Sequence, residues 1–209
     1  MRLVVLGASG GTGREVVTQA LADGDEVVAV ARAGSEVPAG ATVVRAEISD
    51  VETLAEAVAG ADAVVSALGT RGRGPTSVCT DGVGAAIAAM RRTGVRRLLV
   101  VSASGLPGEG DDAALRWLVK PVLQRILRHH YADLTRMDEI VRASDLDWTI
   151  VRPPQLTDGP RTDRYRRALD RHVARGHRVA RADLAAELLR LAREAGVDGA
   201  VGHLVAVAD

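Results

Sequence analysis

Glycines at positions 7, 10 and 13, set between an apolar run and an amphipathic stretch, constrain this chain more than any other feature. Leu3 to Leu6 is a short apolar run that stops at Gly7, and Val16, Val17, Ala20 and Leu21 share one helical face. The segment Gly7-Ala8-Ser9-Gly10-Gly11-Thr12-Gly13 therefore reads as a strand-to-helix turn. Glycines there permit a tight turn and close approach of backbone to a pyrophosphate, while the helix start offers free N–H groups and a positive dipole end. A glycine turn by itself is also an ordinary way to join a strand to a helix. The next apolar run, Glu26–Ala31, makes the context specific, because it ends at Arg32, about 20 positions after the glycines. An acidic residue at that place would hydrogen-bond a ribose 2′-hydroxyl, whereas an arginine pairs with a 2′-phosphate. Arg32, with Ser35 nearby, favours NADP over NAD. Arg14 adds positive charge beside the turn or is a solvated helix residue.

Alternating patterns continue to about residue 152. Strands are expected at Arg2–Leu6, Glu26–Ala31, Thr42–Ala46, Ala63–Ser66, Arg97–Val101 and Trp148–Arg152. Helices are expected at Thr12–Ala22, Val51–Ala59, Thr76–Arg92 and Val122–Ala143, with Asp50 and Thr76 as N-caps and Gly24, Gly60 and Gly94 at helix ends. The fold class that follows is α/β: a Rossmann-like doubly wound parallel sheet of strand order 3-2-1-4-5, with further strands beyond. The chain reads as a single unit, a dinucleotide-binding core over residues 1–152 and lobe elements with a final helix and strand over 153–209. In that last part Leu106–Asp112 precedes as a polar loop, Tyr165–Val173 suits a short strand, Arg181–Ala195 an amphipathic helix and Gly202–Val207 a closing strand. Together they would form a small C-terminal substrate lobe over the carboxyl ends of the strands.

Composition narrows the partners. At 209 residues and zero formal net charge, the chain has no global field to draw in nucleic acid or an anionic membrane. No apolar run approaches the ~20 residues that span a bilayer. Cys79 is the only cysteine, so no internal disulfide is possible, and with a strand starting at once after Met1 the expected setting is cytoplasmic. Cys79 itself suits a small buried hydrophobe. The five histidines show no metal-ligand spacing, so no metal is expected. A small-molecule acceptor is the expected partner, for a monomer or small homo-oligomer. The eight arginines between Arg161 and Arg181 read first as a solvated face and second as a site for an anionic acceptor.

With these motifs placed, the chain resembles the atypical short-chain dehydrogenase/reductases of the NmrA-like NAD(P)-binding family, in the flavin reductase/biliverdin-IXβ reductase branch. The resemblance covers almost the whole chain. It is carried by the glycine turn, Ala67-Leu68-Gly69-Thr70-Arg71, Gly94 to Ser102, Ser144 to Pro154 and Arg181-Ala182-Asp183-Leu184-Ala185. The stretch Leu146-Asp147-Trp148-Thr149-Ile150-Val151-Arg152-Pro153-Pro154 is the most specific of these. The resemblance implies NADP(H) held by Gly7, Ser9, Gly10, Gly11, Thr12 and Gly13, with Thr12 and Gly13 facing the pyrophosphate and Arg32 the 2′-phosphate. It implies Glu47 and Ile48 flanking the adenine, mainly through backbone, and Leu68, Gly69 and Thr70 lining the phosphate and ribose groove. Ser102 and Ala103 would lie near the nicotinamide, and Pro153, Pro154, Gln155 and Leu156 would close over it. Glu36 stands where that branch carries a second basic residue, and Gln155 where it often has histidine. The resemblance thus carries the cofactor further than the acceptor.

Most short-chain dehydrogenases use a tyrosine with a lysine four residues later, the lysine lowering the tyrosine pKa for proton transfer. Here the only lysine is Lys120, four residues after Arg116, and Tyr131 is followed by Thr135. Arginine does not substitute readily, since it does not deprotonate. Two readings stand. One is an NADPH-dependent oxidoreductase whose planar acceptor, a flavin, quinone or bilin-like ring, needs no protein acid. The other is a non-catalytic NADP(H)-binding sensor or regulator. Candidate catalytic residues are Ser102, at a strand end, and Tyr131, at the acceptor site or on a helix surface. Ser102 and Ser104 serve equally as turn-capping serines, and Gln155 as a loop-packing residue.

Overall fold

The computed structural model describes residues 1–70, 72, 74–104, 128–194 and 200–209. Five strands form in the expected places: β1 (Arg2–Leu6), β2 (Glu26–Ala31), β3 (Thr42–Arg45), β4 (Ala63–Ser66) and β5 (Arg97–Val101). Between them lie α1 (Gly11–Ala22), α2 (Val51–Val58) and α3 (Val78–Thr93). The described part of the next helix, α4, is Arg128–Arg142, so its expected start at Val122 and the Leu106–Asp112 loop lie outside the described residues. Then come β6 (Asp147–Arg152), β7 (Gln155–Thr157), β8 (Arg166–Leu169), β9 (Arg178–Ala180), α5 (Arg181–Arg193) and β10 (His203–Ala208).

The main sheet has the order β3-β2-β1-β4-β5-β6-β10-β8. All its pairings are parallel except β8 against β10. The chain direction across the sheet reverses between β1 and β4, which is where open α/β sheets bind ligands. Period-two alternation divides each central strand between two cores. Val4, Leu6, Val64, Leu98 and Ile150 face α2, α3 and α4, while Leu3, Val5, Ala63, Leu99 and Val205 face α1 and α5. Near-continuous apolar strands are what a sheet covered on both sides requires.

Beyond β6 the chain adds to the main sheet more than the expected lobe would. The final strand and the 166–169 strand extend the main sheet, and α5 packs on it, so the part standing apart is the two-stranded β7–β9 ribbon. The helix expected from Thr76 starts at Val78, two residues later, with Ser77 rather than Thr76 at the N-cap position. Ser77 makes no cap bond because its hydroxyl donates to Asp81 Oδ2 (2.5 Å), while Thr76 Oγ1 accepts from the Val78 N–H (3.3 Å). Asp50 does cap α2, accepting from the Thr53 N–H at 3.1 Å. Among the described residues no helix is long and apolar enough to cross a membrane.

Candidate functional site

The carboxyl edge of the sheet collects the residues singled out above. Gly7 ends β1 with φ +75° and bonds forward, its carbonyl accepting from the Gly10 N–H at 2.9 Å. A Cβ at Gly7 would stand 2.7 Å from the Ala67 carbonyl oxygen, so the turn lies directly against the chain leaving β4. A Cβ at Gly13 would stand 2.1 Å from the Gly7 carbonyl oxygen, which no side chain tolerates. The turn is thus closed on itself by backbone. Gly10 is the N-cap of α1 and offers no side-chain cap, and the first turn of α1 holds no acidic residue. Backbone donors with a positive dipole end are left facing outward, the arrangement that suits a phosphate. The donor set fits the dinucleotide expected from the sequence.

The other expected residues line up along the same edge. Arg32 follows β2, and its exposed side chain has no ion-pair partner among the described residues. Glu47 is exposed after β3. Ile48 and Leu68 turn their side chains inward, onto Gly82 of α3, where a Cβ would lie 2.5 Å from Ile48 Cγ1 and 2.6 Å from Leu68 Cδ1. What they present outward is therefore backbone. Gly69 and Thr70 continue from β4 with little packing around them. Past the ends of β5 and β6 the ladder goes on: the Ser102 N–H donates to Val151 O (2.8 Å) and the Ser104 N–H to Pro153 O (3.0 Å). Ser102, Ala103 and Pro153 are thereby held side by side. Gln155 is exposed and Leu156 packs on the core under α5, both held by the parallel β7–β9 pairing.

The candidate catalytic residues differ in kind. Ser102 is buried, and its hydroxyl has no hydrogen-bond partner among the described residues. Tyr131 is half-buried near the start of the described part of α4 and packs against the core shared with α3, so it is neither a free surface residue nor part of the glycine turn. Burial pushes its phenol above the ordinary tyrosine value, the direction opposite to that of a tyrosine activated by a neighbouring lysine. Cys79 is fully buried, and burial, together with the Asp133 carboxylate, pushes its thiol up to about 12. A thiol held there is inert at neutral pH. Among the described residues no group of three or more His, Cys, Asp or Glu side chains is placed to hold a metal ion.

Sequence patterns gave no sign of one buried pair beside this edge. Arg152, at the end of β6, donates through Nη2 to Asp138 Oδ2 on α4 at 2.5 Å. Arg152 Nε and Asp138 Oδ1 have no partner among the described residues, so this end of the sheet carries unspent polar capacity next to Ser102. An arginine just before paired prolines and an aspartate 14 residues earlier were the only traces available in the chain.

The NAD(P)H-binding family matches residues 7–195 of the chain, from the glycine turn through α5. The chain belongs to that family. Among curated relatives, this NAD(P)H-binding protein is 34% identical to an uncharacterised Mycobacterium tuberculosis protein over 122 residues, which is 56% of this chain and 14% of that one. It is 30% identical over 168 residues to UPF0659 protein YMR090W of Saccharomyces cerevisiae, covering 75% of this chain and 70% of that protein. The chain thus spans only a small part of the mycobacterial relative and most of the yeast one. Its fold is shared with a short-chain dehydrogenase/reductase from Veillonella parvula in complex with NADP, at 19% identity and TM-score 0.83, covering 100% of this chain and 94% of that one. It is shared too with ChuY, an anaerobilin reductase from Escherichia coli O157:H7, at 23% identity and TM-score 0.74, covering 100% and 97%.

Proposed function

We propose that this protein is an NADPH-dependent reductase that passes hydride to a planar, stackable acceptor, a flavin, quinone or bilin-like ring, without a tyrosine–lysine pair. The carrying observation is the combination of an NAD(P)H-binding family chain with a single lysine, Lys120, and no Tyr-x-x-x-Lys spacing. The upward shift of the Tyr131 phenol supports the same reading, since a phenol shifted that way is a weaker proton donor. The existence of a bilin reductase on this fold makes a bilin-like ring a reasonable member of the acceptor class.

In this reading the turn from Gly7 to Gly13 and the first N–H groups of α1 receive the diphosphate. Arg32 pairs with the 2′-phosphate, and Glu47 and Ile48 flank the adenine through backbone. Leu68, Gly69 and Thr70 line the groove, and Ser102, Ala103, Pro153, Pro154, Gln155 and Leu156 surround the nicotinamide end. NADPH supplies the hydride and its electron pair. The chain supplies proximity and orientation, and the reduced acceptor takes its proton from water. Ser102 positions the reactants through its hydroxyl, which has no partner among the described residues, rather than transferring a proton.

The test is NADPH oxidation by the purified chain against flavins, quinones, bilins and, as a control, aldehydes. The expected result is turnover with at least one planar ring and none with aldehydes. NADPH binding at micromolar concentration with no acceptor reduced would replace this reading with that of a cofactor-responsive regulator.

A further inference from the structure

The helices α1 and α5 lie on the same face of the sheet. Near the end of α5, Arg193 bonds Asp23 (2.8 Å) and Asp25 (2.7 Å), just past the end of α1. At the start of α5, the side chain of Arg181 lies on Gly11, at the start of α1. The two helices therefore run parallel with their N-terminal ends together. A Cβ at Gly11 would stand 2.8 Å from both Cδ and Nε of Arg181. Gly11 does not adopt a positive φ, so backbone conformation does not demand glycine there. Space does: the missing side chain is the seat of the arginine.

The seat is firmly built. Gln19 Nε2 on α1 donates to Ala182 O on α5 (2.9 Å), and the buried Asp183 accepts from the Thr162 N–H (2.7 Å) and the Asp163 N–H (2.9 Å). The guanidinium, in contrast, is weakly committed. Its carboxylate partner is Asp158, whose side chain is 89% exposed against 28% for Arg181. An ion pair so open to water contributes little, and exchanging it for another anion costs little. The α1 start beside it presents uncapped backbone donors and no acidic residue.

We propose that Arg181 binds the diphosphate of NAD(P)H, its guanidinium leaving Asp158 for the cofactor while its aliphatic stem stays on Gly11. The inference rests on the cofactor site read above and divides the work between two arginines. Arg32 meets a phosphate found only on NADPH; Arg181 meets the part common to both cofactors. Arginine suits this task because its planar fork pairs with phosphate oxygens in two directions.

Calorimetric titration of the full chain with NADPH and with NADH tests it. Arg181→Ala should weaken both cofactors by about tenfold or more and by the same factor, the usual effect of losing a bond to a charged group. Binding by Arg181→Ala should also depend less on salt, and Arg181→Lys should recover part of the loss. In the structure of the wild-type complex with NADPH, the Arg181 guanidinium should bond the diphosphate. A loss confined to NADPH, unchanged binding by Arg181→Ala, or an Arg181 still on Asp158 in the complex would overturn the proposal while leaving the cofactor reading intact. Failure of the wild-type chain to bind either cofactor would overturn both.

Discussion

The carboxylate of Asp133, on α4, accepts from the backbone N–H of Cys79 (2.9 Å, Oδ2), at the second residue of α3. Its other oxygen accepts from the Thr80 N–H at 3.1 Å. Asp133 is fully buried, so a side chain from one helix caps the start of another and pins α3 to α4 inside the core. Asp133→Ala would take this acceptor from the buried Cys79 N–H and from the part-buried N–H and hydroxyl of Thr80. The expected loss is about 2–3 kcal/mol of stability, since both a cap and a charged hydrogen bond are removed. Urea unfolding at neutral pH measures it; a loss under ~0.5 kcal/mol would mean that water replaces the carboxylate.

This cap shows where sequence reading stops. The strands β1, β2, β4 and β5 were legible because burial on both faces makes apolar runs, and the glycine turn was legible because close backbone contact excludes side chains at Gly7 and Gly13. Asp133 lies 54 residues from Cys79, and an aspartate inside a helical stretch looks like any solvated one. Arg181 on Gly11 and Arg152 on Asp138 escape for the same reason: each is a contact between elements that only the fold brings together. Both edge strands of the main sheet fall where the sequence suggested them, β3 within Thr42–Ala46 and β8 within Tyr165–Val173, but the place of β8 in that sheet was not legible. The exposed and polar residues of β8 make no apolar run, yet antiparallel pairing with β10 adds this strand to the main sheet.

The glycines of the turn should differ in tolerance according to the space at each. Gly13→Ala forces a methyl to within 2.1 Å of the Gly7 carbonyl, so the turn must open. We expect a stability loss of about 3 kcal/mol or more, together with loss of NADPH binding. Gly10→Ala meets the same carbonyl at 3.2 Å and should cost about 1 kcal/mol. Thermal unfolding and titration of the two variants check the order, and equal effects would contradict this account of the turn.

Arg32 is exposed at the end of β2, with no ion-pair partner among the described residues, so its removal disturbs little of the fold. Arg32→Ala should weaken NADPH binding by about 1.5–3 kcal/mol, as expected for one charged hydrogen-bonding partner. NADH binding should stay nearly unchanged. Equal losses for both cofactors would show that the residue does not read the 2′-phosphate.

If the acceptor takes its proton from water, no single protein acid limits turnover. Ser102→Ala and Tyr131→Phe should each then reduce kcat by less than tenfold, against the ~10²–10⁴-fold typical of a lost general acid. Measurement uses whichever acceptor the NADPH-oxidation screen yields. A drop of a hundredfold or more in either variant would assign that side chain a direct part in proton transfer.

His130 gives the fold a pH dependence whose sign is fixed. It is half-buried on α4, and its Nδ1 has no hydrogen-bond partner among the described residues. Burial lowers its pKa from the ordinary 6.5, with the nearby Asp133 carboxylate opposing the shift only in part. A lowered histidine pKa means that the unfolded chain takes up its proton first as pH falls. The stability associated with neutral His130 is therefore complete above the unfolded value of 6.5 and is lost as pH drops through the lower, folded value. His130→Gln removes this proton uptake while keeping a side chain of similar polarity. Between about pH 8 and about pH 5 the variant should lose less stability than the wild type in urea unfolding. Parallel stability curves for the two proteins would show that His130 titrates alike in the folded and unfolded chains.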